Sequence, residues 1–300
     1  LSPCPLTAEI SKQNKGAVMK ILVALDGKNY SRKILKNVAR LAENTLADIV
    51  FLGVQEGMNK PAHSLVDTLL KYQHDVYSYF RPDELPYAEF TTSAWQEMGK
   101  DDWSLSSRGM KEFSLRIRTG GMAKQAVTMA RELECDLIIL GCSSTFGCEW
   151  DGEMNVPLRI AEDAPCSVLV IKQVRNANQI VSILDHSLIR QNSLELVNQL
   201  VTLHDAGLKI VGVQEQKAGK KNELENRMVE LLTYYNDRKI SAWVKLITSD
   251  DVKDFVTSSS REAIVALWMG GKQSLVKKLF SRSMVDKLLE TTKSSLLILR

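Results

Sequence analysis

Short apolar runs alternate with amphipathic stretches along the whole chain. Ile21-Leu22-Val23-Ala24-Leu25 is a continuous apolar run closed by Asp26-Gly27, the pattern of a strand buried on both faces of a parallel sheet. Ser31 then offers a helix cap, and Ile34, Leu35, Val38, Leu41 and Ala42 fall at helical spacing on one face. Residues 49–54 give a second strand. Phe113, Leu115 and Ile117 alternate through a third, which Gly120-Gly121 closes, and Ala123, Ala126, Val127, Ala130 and Leu133 mark the next helix. Residues 136–141 read as a fourth strand, 142–163 as a loop and helix, and 168–171 as a fifth strand. Strands alternating with helices imply crossover connections and a parallel sheet with helices on both faces.

The plan then repeats. After a polar linker, 173–178, come a strand at 180–184, a helix carrying Leu194, Val197, Leu200 and Val201, and a strand at 208–213. A helix near 222–235, a strand at 242–247, a helix from 250 to 260, a strand at 263–269, a helix near 282–291 and a strand at 295–299 complete the copy. The residues repeat as well. Leu-Val-Ala-Leu-Asp ending at Asp26 returns as Val-Ser-Ile-Leu-Asp ending at Asp185, and Leu-Gly-Val-Gln-Glu around Val54 returns as Val-Gly-Val-Gln-Glu around Val213, both at an offset of 159. Thr119 and Gly141 match Thr248 and Gly270 at an offset of 129, so the first copy holds about 30 extra residues within 57–111. A repeat of this length is a whole α/β domain, since solenoid units run to roughly 20–50 residues. The expected organisation is a flexible N-terminal tail (1–18), a first domain (19–172), the linker, and a second domain (179–300), each domain holding a five-stranded parallel sheet flanked by helices.

The extra segment is rich in aromatics: Tyr72, Tyr77, Tyr79, Phe80, Tyr87, Phe90, Trp95 and Trp103. Leu65, Leu69, Tyr72 and Val76 suit one helix face, while Arg81-Pro82 and Leu85-Pro86 interrupt helix. It reads either as an extended helix and loop covering part of the sheet or of the other repeat, or as a lid or partner-binding surface.

With 300 residues, 44% hydrophobic and 25% charged, the chain reads as two soluble globular domains. A net charge of +3 is too weak a field to argue for nucleic acid or an anionic membrane, and no apolar run approaches the roughly 20 residues of a membrane span. Residues 1–18 lack the apolar core of a secretory signal. Met19 stands directly before the first strand, so residues 1–18 read either as a flexible tail or as the result of an upstream start codon chosen by mistake. Five cysteines without framework spacing point to a reducing compartment, with cytoplasm as the expectation. Cys142 and Cys148 share a loop and could pair or bind metal, but the four scattered histidines do not complete a metal site, and none is expected.

The segments Lys20–Ser31, Arg118–Gly121, Asp136–Gly141 and Ala164–Ile171 together resemble the universal stress protein family, in its tandem two-domain form. The resemblance implies two sheets of adenine-nucleotide-hydrolase-like type. ATP-binding members share a glycine motif after the fourth strand, G-x2-G-x9-G-[ST]; its glycines let backbone N–H groups approach phosphates, and its end opens a helix whose N-terminus favours anions. The aspartate ending the first strand lies near the adenosine. Carried onto this chain, the resemblance makes Asp26, Val54, Gly141 and Asn155 the cofactor-binding candidates of the first repeat. Asp185, Val213, Gly270, Gly271, Lys272 and Ser283 are those of the second.

The motif is eroded. In the first repeat Gly141 is kept, but the later positions read Ser144, Met154 and Asn155, with Asp151 and Glu153 nearby. In the second, Gly270-Gly271 opens the loop and Lys272, Lys277, Lys278 and Arg282 bring positive charge. Ser283 stands at the helix start there, where it serves as well as an ordinary cap. ATP or AMP is the cofactor class the resemblance allows, neither being required. The leading expectation is therefore a non-enzymatic stress-response regulator whose repeats pair within the chain, with a further homodimer and a protein partner left open. A nucleotide site in the second repeat alone is the alternative, and a slow ATP hydrolase the next. No P-loop, Ser-His-Asp order or serine-glycine pyrophosphate loop supports catalysis, and His186 beside Asp185 is poorly placed to share a site with it.

Overall fold

The computed structural model describes residues 18–57, 60–81, 85–90, 94–142, 150, 155–172, 177–185, 189–214, 221–260, 263–269, 285, 289 and 294–300. The chain divides into two compact units, Met19–Val174 forming the body of one and Arg175–Leu288 with Thr292–Arg300 that of the other.

In the first unit the elements follow as β1 (Lys20–Leu25), α1 (Asn29–Lys33), α2 (Leu35–Thr45), β2 (Asp48–Gln55), α3 (His63–Tyr77), β3 (Gln96–Gly99), β4 (Asp102–Arg108) and β5 (Glu112–Thr119). They continue with α4 (Met122–Glu132), β6 (Leu137–Gly141), α5 (Val156–Asp163) and β7 (Ser167–Ile171). The strand order is β7-β6-β1-β2-β5-β4-β3. The first five of these are parallel, and β4 and β3 extend the sheet antiparallel. The apolar runs are buried end to end in β1, β6 and β7, as strands covered on both faces require. The helical stripe Ile34, Leu35, Val38, Leu41 and Ala42 is likewise buried. The winding reverses between β6 and β1, which makes the carboxyl ends of these strands the place where such sheets open a crevice.

Ser31 departs from its expected role. The helix starts at Asn29, so Ser31 lies within α1, fully buried. Its hydroxyl is committed to Asp26 and does not cap a helix.

The second unit contains β8 (Gln179–Leu184), α6 (Gln191–His204), β9 (Gly207–Gln214), α7 (Lys221–Asn236), β10 (Ala242–Thr248), α8 (Val252–Ser259), β11 (Ile264–Trp268) and β12 (Leu296–Leu299). Its strands run β10-β9-β8-β11-β12, all parallel. The helix expected near 282–291 lies outside the described residues except for Val285 and Leu289, which are helical and buried.

Comparing the units locates the extra segment more narrowly. Helix α3 stands between β2 and β5 as α7 stands between β9 and β10, so the surplus of the first unit begins after Tyr77. It supplies β3 and β4, which residue patterning did not reveal, and a set of aromatic rings. Phe113 on β5 is their hub: Phe51 lies 4.9 Å away, Tyr77 5.5 Å, Tyr87 5.6 Å and Phe90 6.2 Å, all edge-on, the geometry aromatic quadrupoles favour. The Tyr87 hydroxyl donates to the Ala47 carbonyl at 2.6 Å, and burial pushes its pKa up. These rings therefore cover the sheet. Asp102 at the start of β4 fastens the added strand to β5, accepting from Arg116 Nε at 3.1 Å and from Arg118 Nε and a terminal nitrogen at 3.0 and 2.7 Å.

Candidate functional site

The register of the first sheet brings two predicted residues level. Leu25 pairs with Gly53, so Asp26 and Val54 follow side by side at the carboxyl ends of β1 and β2. Gln55 pairs in turn with Thr119 at the end of β5, which sets Gly120-Gly121 beside them. These strand ends form the floor of a cleft of about 620 Å³, within the usual range for small-molecule pockets of about 300–1,000 Å³. Asp26, Gly27, Val54, Gln55, Glu56 and Gly57 line it on one side, Gly120, Gly121 and Met122 on another. Ala62, Ser64, Leu65 and Thr68 wall it from the start of α3, and Trp150 closes it from the chain that follows β6.

Asp26 is buried and heavily bonded. Its Oδ1 accepts from Ser31 Oγ at 2.7 Å and from the Lys28 amide at 3.0 Å, Tyr30 donates its hydroxyl to Oδ2, and the Asp26 amide returns a bond to Ser31 Oγ at 3.2 Å. The Tyr72 hydroxyl, from α3, donates to the Asp26 carbonyl at 3.0 Å. Burial, and after it the Asp26 charge, pushes the Tyr72 pKa up to about 12. The aspartate is thus held rigidly, its negative charge at the cleft wall. Tyr30 also packs against the Trp150 indole, ring centres 5.7 Å apart. Trp150 is 4% exposed, and among the described residues its indole N–H finds no acceptor.

Gln55 organises the rim. Its side-chain amide donates to the Lys60 carbonyl and accepts from the Ala62 amide, both at 2.8 Å, and its own carbonyl accepts from Gly120 N at 2.9 Å. Gly120 has φ +128°, a conformation glycine reaches at little steric cost, and this lets β5 turn sharply into α4. The rim residues Gln55, Gly57, Ser64 and Trp150 were not singled out from the sequence. The recurrence of Val-Gln-Glu at 54–56 and 213–215 was the signal available for Gln55 and Glu56.

The other candidates fall elsewhere. Gly141 ends β6 away from the cleft lining, where a Cβ would stand 2.7 Å from the Tyr30 carbonyl oxygen; the close approach of α1 requires glycine here. Asn155 is exposed, sits at φ 57° before α5 and makes no side-chain capping bond. In the second unit, Leu184 pairs with Gly212, so Asp185 and Val213 repeat the Asp26–Val54 arrangement, both buried. Gly270, Gly271, Lys272 and Ser283 lie outside the described residues, as do Ser144, Asp151, Glu153, Met154 and His186. Cys142 is disulfide-bonded, to a partner outside the described residues, while Cys135 and Cys166 are buried and outside any disulfide. Burial pushes the Cys135 thiol up to about 12, which leaves it unreactive. Among the described residues no group of three or more His, Cys, Asp and Glu side chains could hold a metal, and no helix is long and apolar enough to cross a membrane.

A doubly wound parallel sheet flanked by helices, with a cleft beyond its strand ends, defines the class as α/β. The universal stress protein family model matches residues 18–172, more than half of the chain, and the chain belongs to that family. It is 24% identical over 168 residues to Universal stress protein MJ0531 of Methanocaldococcus jannaschii, a match covering 51% of this chain and 96% of that one. Among solved structures, a universal stress protein from Archaeoglobus fulgidus is similar over 94% of this chain and 96% of its own at 10% identity, TM-score 0.58. A protein of unknown function from Pseudomonas aeruginosa is similar over 94% and 92% at 14% identity, TM-score 0.58. These last two likenesses are of fold.

Proposed function

We propose that the chain is a non-enzymatic regulatory protein of the universal stress type, responding to a small adenine-like ligand held in the cleft of its first unit. The observation that carries this reading is the union of Asp26 and Val54, at neighbouring strand ends, in one cleft with Trp150. The resemblance assigns adenosine contacts to these strand ends, and open α/β sheets hold ligands there. Catalysis has little to work with in the cleft: Asp26 is tied up by three donors, and the lining offers no histidine, lysine or cysteine among the described residues. The reading places the protein in the cytoplasm, with the two repeats standing for the two subunits of single-domain relatives.

Mass spectrometry of freshly purified, denatured protein tests the ligand: a co-purified small molecule that raises the melting temperature when added back supports the reading. Phosphate release from ATP that stays above background in Asp26→Ala and is abolished by no cleft substitution would place turnover elsewhere. Release abolished by cleft substitutions would overturn the non-enzymatic assignment.

A further inference from the structure

The geometry points to an unphosphorylated, amine-bearing planar base of nucleoside size as the ligand of the first-unit cleft, in preference to a nucleotide. This rests on the reading of that cleft as the ligand site, and adds the chemistry the site selects.

The charges decide it. Two carboxylates, Asp26 and Glu56, line the cleft, and among the described residues no lysine or arginine does. Lys28 and Lys60 stand on flanking loops, exposed and off the lining. The chain between Cys142 and Val156, where ATP-binding relatives carry their glycine motif, holds Glu149, Asp151 and Glu153 and neither lysine nor arginine. The N-terminus of α4 at Gly121-Met122 opposes this with only about half a positive charge, against two full negative ones. A phosphate chain would enter this field uncompensated. An exocyclic amine would instead find an acceptor in the exposed Glu56 carboxylate at the rim.

The apolar lining fits a ring. The Trp150 indole, Met122 and Leu65 offer flat or adaptable surface, and an indole beside carboxylates favours an electron-poor or partly cationic ring system.

The test is isothermal titration of the full chain with adenosine, AMP and ATP at one ionic strength, repeated on Glu56→Lys and Ser64→Trp. Both substituted positions are exposed, and thermal melts confirm that the variants fold. Adenosine is expected to bind at least tenfold more tightly than ATP, with AMP between. Glu56→Lys should shrink that ratio threefold or more, and Ser64→Trp, which fills the mouth, should abolish adenosine binding. ATP binding as tightly as adenosine, a ratio unmoved by Glu56→Lys, or adenosine binding that survives Ser64→Trp would each overturn the inference. In the first two cases the cleft stays a ligand site and the proposed function stands. If none of the three binds, the inference falls; a different co-purified molecule displaced by Ser64→Trp then preserves the functional reading, and its absence removes that reading too.

Discussion

The carbonyl oxygen of Tyr30 lies 2.7 Å from the point where a Cβ on Gly141 would stand, and the Ile34 side chain lies 3.2 Å from it. Helix α1 therefore rests directly on the end of β6. Gly141→Ala forces this backbone contact apart and is expected to destabilise the protein by about 1–3 kcal/mol, the usual range for overpacking a core. Urea unfolding measures it. A glycine kept only for phosphate approach would instead give unchanged stability and altered ligand affinity.

Ser31→Ala removes both bonds that tie the hydroxyl to Asp26. Both residues are buried, so the loss leaves part of a carboxylate and its amide unsatisfied, and a cost of about 1–3 kcal/mol follows. The same variant should weaken ligand binding in titration, because the loop 26–31 loses its internal brace. Stability within about 0.5 kcal/mol of the parent, the scatter of a neutral surface change, would show that water replaces the hydroxyl.

Asp102 faces two arginines, and all three side chains are largely buried. Asp102→Ala takes the carboxylate from Arg116 and leaves Arg118 with Glu132 alone, and breaking a buried pair from one side costs about 3–5 kcal/mol. The damage should be local. Hydrogen exchange is expected to speed up in β3 and β4 before it does in β1 or β6, and uniform acceleration across the sheet would contradict the fastening role.

Alkaline pH should weaken the first unit in a defined window. The Tyr72 phenol, raised to about 12 from its ordinary value of 10.0, keeps its proton in the folded state after the unfolded chain has lost it. The folded state then binds more protons between pH 10 and 12, and stability falls as pH rises through that range. Tyr77 and Tyr87 of the same unit are raised by burial in the same direction. Unfolding at pH 9, 10 and 11 should give steadily lower midpoints, with a shallower slope in Tyr72→Phe. An equal slope in that variant would remove Tyr72 from the account.

The parallel framework was legible because strands buried on both faces have no choice of pattern. Ile21–Leu25 and Val168–Ile171 are continuous apolar runs, and helix faces such as Leu194, Val197, Leu200 and Val201 are buried as their spacing implies. Strands β3 and β4 escaped notice for the opposite reason. Residues 96–99 are exposed throughout, and β4 mixes Ser104, Ser106 and Ser107 with Trp103 and Leu105, so their pairing comes from β5 and not from their own pattern. The cleft was half legible. Asp26 and Val54 were found through the repeat and the family resemblance, whereas Trp150 is distant in sequence and joins the wall through its packing on Tyr30. Gly141 was read as a phosphate glycine because a motif position does not reveal what the backbone opposite it needs.

Gln55 joins three stretches of chain at the mouth of the cleft through its side chain and its carbonyl. Those stretches are shaped during folding and not on arrival of a guest. Capture should therefore proceed in one concentration-dependent phase in stopped-flow mixing, with no slow rearrangement behind it, and Gln55→Ala should introduce one.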